Sequence, residues 1–94
     1  MDIKTIHSLK SKFVARQVGN EMILVPITNN VAQMSELFTL NETAMFIWEN
    51  TTENTTIEEI EKGITDTFTI DSKTAREDIE TFLNQIEKLI LNKR

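Results

Sequence analysis

The sequence predicts an α+β domain: a three-stranded antiparallel sheet in the first part of the chain, followed by three helices. Three observations lead there. β-branched and aromatic runs flank a Gly-Asn pair, and a third such run stops at an asparagine. From that asparagine onward, apolar residues recur at helical spacing.

The first two strands are "FVARQV" (13–18) and "MILVPI" (22–27), with "GNE" between them. Gly19-Asn20 can adopt the positive φ angles of a tight hairpin turn. Pro26 has no N–H to give to a ladder, so it marks a strand end or an edge. "TNNVAQMSE" (28–36) is polar and aperiodic and reads as a loop, and "LFTL" (37–40) reads as the third strand.

Asn41 is a favoured N-cap residue, and Glu42 in the first turn suits the helix dipole. Ala44 to Trp48 are apolar in succession, so much of this first helix should be buried. A second helix begins at Thr56. Thr56 and Glu59 have the spacing of a capping box, and Ile57, Ile60, Ile64 and Phe68 form its apolar stripe. Gly63 costs about 1 kcal/mol relative to Ala inside a helix, which points to a close approach there. Asp71 or Ser72 caps the third and longest helix, about 72 to 91. Its core stripe is Ile79, Leu83, Ile86 and Ile90, and a second row runs beside it: Ala75, Asp78, Phe82, Gln85 and Leu89.

The 94 residues fit one domain with a modest core. With no Cys there is no disulfide framework, thiolate metal site or cysteine nucleophile. The N-terminus lacks the apolar stretch of a signal peptide, and no run approaches the roughly 20 residues needed to span a membrane. The expected location is cytoplasmic, with no membrane partner. Net charge is −5. Residues 1–12 hold Lys4, Lys10 and Lys12 against Asp2 and read as a basic, flexible tail, leaving 13–94 as the folded domain.

Chemistry is sparse. His7 is the single histidine, and Gly19 and Gly63 are the only glycines, so phosphate-cradling loops of the common types are excluded. The acidic pairs Glu58-Glu59 and Glu77-Asp78 fall on polar helix faces. No acid, base, nucleophile or ligand set stands out, and the expectation is a binding module without cofactor or metal rather than an enzyme.

The string "LNETAMFIW" (40–48), together with "FVAR" (13–16), "TIEEI" (56–60), Phe68 and "EDIETFLNQIEKL" (77–89), resembles the PqqD-like domains. These are also called recognition elements for ribosomally made, post-translationally modified peptides. The likeness covers about residues 13–91. It departs where an Asp-Gly commonly follows the Trp helix, here "ENTTEN", and where a Gly-Leu usually closes the last helix. The resemblance implies a fold related to winged helix-turn-helix domains. It also implies a role: holding the leader segment of a precursor peptide and presenting it to a modifying enzyme, of the radical S-adenosylmethionine type or another.

In such domains the leader lies as an added strand beside the third strand and against the third helix. Strand addition takes affinity from main-chain hydrogen bonds and specificity from side-chain pockets. Here the backbone of Leu37, Phe38, Thr39 and Leu40 would supply the edge. Phe82 would be the apolar anchor of the opposite wall, Asp78 and Gln85 its polar contacts, and Arg76 a rim contact. Trp48 reads as core. Two alternatives remain. A winged-helix transcription regulator would place the third helix against phosphates, but its excess of acidic over basic residues opposes nucleic acid. A self-associating assembly subunit would pair its own exposed edge. The expected state is monomer or weak homodimer.

Overall fold

The computed structural model describes residues 2–27 and 38–91. The hairpin forms where turn chemistry places it. Strands β1 (Phe13–Val18) and β2 (Glu21–Pro26) pair antiparallel, from Phe13 opposite Pro26 to Val18 opposite Glu21. Between them Gly19 takes φ +62°, a left-handed conformation that costs glycine nothing. Strand β3 (Phe38–Leu40) pairs with the other side of β2, Met22 opposite Leu40, giving the order β1-β2-β3. The loop read over 28–36 and Leu37 lie outside the described residues, as do the side chains of Leu89 and Ile90.

Alternation sorts the sheet into two faces. Phe13, Met22, Leu24 and Leu40 are buried beneath the helices. The opposite face carries Val14 and Val18, 54% and 55% exposed, with Ile27 just beyond β2 at 61%. Pro26 closes β2, where its missing N–H costs no ladder bond in mid-strand.

Three helices follow: α2 (Glu42–Asn50), α3 (Ile57–Phe68) and α4 (Ser72–Leu91). Each starts at the expected cap. Asn41 Oδ1 accepts from the Ala44 N–H at 2.9 Å. The capping box closes in both directions, with Glu59 N–H donating to Thr56 Oγ1 at 3.2 Å and Thr56 N–H donating to Glu59 Oε1 at 3.3 Å. Asp71 Oδ1 accepts from the Thr74 N–H at 2.7 Å. Trp48 is core, edge-on to Phe13 with ring centroids 5.9 Å apart.

The first twelve residues overturn the expectation of a flexible tail. Ile3–Leu9 form a helix, α1, continued by a 3-10 turn over Lys10–Lys12. Ile3, Ile6 and Leu9 fall on one side of it and enter the core, Ile6 with no exposed surface. His7 lies on the outer side of α1, exposed. Lys10 joins this segment to α2: its Nζ donates to the Thr51 carbonyl at 2.9 Å, at the helix end where a cation offsets the dipole. Burial lowers the Lys10 pKa, and the charge of Glu49 opposes that shift.

Gly63 makes room for a ring. A Cβ there would stand 2.7 Å from Cζ of Phe46, whose ring also stacks edge-on against Phe68. Gly63→Ala should therefore lose about 1 kcal/mol, from overpacking that outweighs its helix propensity. In a Phe46→Ala background the same change should instead stabilise by about 0.5–1 kcal/mol. Urea melts of the four chains check the reversal of sign.

Hydrogen bonds from the Thr74 side chain and backbone hold the Asp71 carboxyl below its ordinary pKa of 3.8. A depressed folded-state pKa gives stability that is present above the ordinary value and lost as pH falls through the folded one. Melting temperature should thus fall below about pH 4, partly through Asp71. Asp71→Asn, which keeps a capping oxygen, should flatten part of that slope without unfolding α4. An unchanged slope in acid titrations of the variant would count against the cap's role.

Candidate functional site

The site is built from one strand and one helix. Among the described residues β3 pairs with β2 alone, so its outer margin is open. Side chains alternate along it: Phe38 packs against the core, Thr39 is exposed and Leu40 is buried. Fixed from below by Phe38 and Leu40, the strand offers backbone rather than apolar side chains. Helix α4 runs alongside because it buries two rows. Ile79, Leu83 and Ile86 lie on one row, and Ala75 and Phe82 on the other, with α4 contacting both α3 and α2.

A cleft of about 330 Å³ lies between β3, the start of α2 and the middle of α4. Thr39, Glu21, Asp78, Thr81 and Gln85 line it, with the buried Ala44 and Phe82 as its apolar floor. Asn41 and Thr43 close it at the α2 end. Thr39, Asp78 and Gln85 are thus brought together in one cleft.

Two expected contacts take other parts. Phe82 is 2% exposed and belongs to the core, so it is not an open anchor on the wall of a groove. A helix gripped on two sides buries Ala75 and Phe82 as well as its main apolar row. Arg76 leaves the cleft and turns to α3. Its Nε donates to Glu61 Oε2 at 2.8 Å, and a second guanidinium nitrogen donates to the same oxygen. These bonds and the Glu61 charge raise the Arg76 pKa further.

Glu21, Thr81 and the α2 start were missed. Thr81 follows from helical spacing, three residues after Asp78 and four before Gln85. Glu21 follows only from the register that sets Met22 opposite Leu40, one residue from Asn41. Neither Glu21 nor Asp78 has an ion-pair partner among the described residues. No three His, Cys, Asp or Glu side chains among those residues cluster as a metal site requires.

Fold and cleft together define a small α+β domain that presents a strand edge beside a helix. The chain belongs to the PqqD family: the family model for coenzyme PQQ synthesis protein D matches residues 21–90. Helix α1 and strand β1 precede the matched region. Among solved structures, TbiB1 in complex with the TbiA(beta) leader peptide shares the fold. Its TM-score is 0.65 at 24% identity, covering 85% of this chain and 87% of that one. No curated protein matches the sequence. No helix among the described residues is long and apolar enough to cross a membrane.

Proposed function

We infer that this protein binds the leader segment of a ribosomally made precursor peptide, which adds as a strand to the open margin of β3. The carrying observation is the unpaired edge Phe38–Leu40 beside the α4 cleft. Membership of the PqqD family supports the reading, as does a fold shared with a protein that holds a leader peptide. Each main-chain hydrogen bond contributes a net of about 0.5–1.5 kcal/mol. Three described edge residues therefore give weak binding alone, and Thr39, Asp78, Thr81 and Gln85 must supply selectivity. The protein acts as a presenting module, without catalysis of its own. The enzyme it serves modifies peptides, and a radical S-adenosylmethionine enzyme fits the resemblance.

The test is a titration of the isotopically labelled protein with synthetic leaders from short peptide genes next to its own. Amide shifts should concentrate at 38–40 and along 77–86. A leader that binds while those amides stay still would rule out this docking mode.

A further inference from the structure

We propose that the peptide taken up by this cleft carries a lysine or arginine at the position that seats beside Asp78 and Glu21. The inference rests on the strand-addition reading and adds the chemistry of the partner. The two carboxylates reach the same cleft from different elements, Glu21 from the start of β2 and Asp78 from the middle of α4. In the free protein both are tolerated because water reaches them: Glu21 is exposed and Asp78 half-buried.

An extended chain laid along β3 changes that balance. It covers the mouth of the cleft and strips solvent from two like charges, a costly step unless a counter-charge arrives with it. Among the described residues, none of those lining the cleft is basic. The nearest arginine in sequence, Arg76, is held by two N–H bonds to Glu61 on α3. A cation carried by the peptide supplies the missing charge.

The rest of the cleft suits such a side chain. Thr39, Thr81 and Gln85 offer oxygens to the remaining donors of an ammonium or guanidinium group. The floor beneath, Ala44 over the buried Phe82, is apolar and suits a methylene stem. The chain's net charge of −5 favours encounter with a cationic peptide over an anionic one.

The probe is a displayed library of random dodecapeptides selected on the full-length protein. The expected result is a family of β-prone peptides that shift the amides of 38–40 and share Lys or Arg at one register. In an enriched peptide, replacing that residue by norleucine should weaken binding about three- to tenfold. Asp78→Asn or Glu21→Gln should cost a similar factor with the wild-type peptide and little with the norleucine one. Asp78→Lys should prefer a peptide bearing Glu at that register, a swap that a folding defect cannot produce. Enriched peptides that shift 38–40 without a shared basic residue overturn this inference and leave the strand-addition reading standing. Enriched peptides that leave 38–40 unmoved overturn both.

Discussion

Deleting residues 1–12 should abolish cooperative folding at 37 °C, although those residues precede the region matched by the family. Helix α1 places Ile3, Ile6 and Leu9 in the core at 3%, 0% and 6% exposure. Fully burying such side chains contributes about 1.5–3 kcal/mol each. The total is comparable to the roughly 5–15 kcal/mol of net stability an entire domain possesses. Deletion also uncovers the apolar surface beneath α1 and removes the Lys10 bond to the end of α2. The graded version is Ile6→Ala, expected to cost about 2–5 kcal/mol. Circular dichroism melts of both chains measure this. A shortened protein that melts within a few degrees of the full chain would return the segment to the status of an appendage.

The second large effect concerns Phe82. Phe82→Ala should destabilise by about 3–5 kcal/mol, because a fully enclosed ring leaves a cavity that α2, α4 and the sheet close only in part. For a domain of this size that corresponds to a fall in Tm on the order of 12 °C or more. Phe82→Leu keeps most of the volume and should cost under about 1.5 kcal/mol. The informative comparison is peptide affinity in the leucine variant. A ring that only supports the cleft floor predicts affinity within about twofold of the parent. A folded leucine variant that bound tenfold less tightly would restore the aromatic contact first expected of this residue.

Most of the fold was readable because its signals are local. Gly19-Asn20 sets the hairpin by its own backbone freedom, and Asn41, Thr56 with Glu59, and Asp71 each satisfy N–H groups within their own first turns. Gly63 was readable as a close approach, though not as an approach to Phe46. Helix α1 was not legible: its apolar residues stand three apart among polar neighbours, no side chain caps it, and its order comes from distant packing. The same limit applied to the site. Sequence shows that α4 has two apolar rows, but exposure depends on how many neighbours grip it. With α2 and α3 both in contact, Phe82 turns inward, while Arg76 is captured by Glu61. Glu21 enters the cleft through strand register, which no single segment displays.

The sheet is narrow enough that both of its outer strands are margins. Among the described residues β1 pairs with β2 alone, and its residues 14–18 are exposed. If β1 of one molecule were to meet β3 of the next, the joint would be head-to-tail, a kind that repeats from copy to copy. Repulsion between copies of net charge −5 works against such growth, and concentrated salt weakens that repulsion. A peptide laid on β3 would block one end of every such joint, and so would act as a chain terminator as well as a cargo.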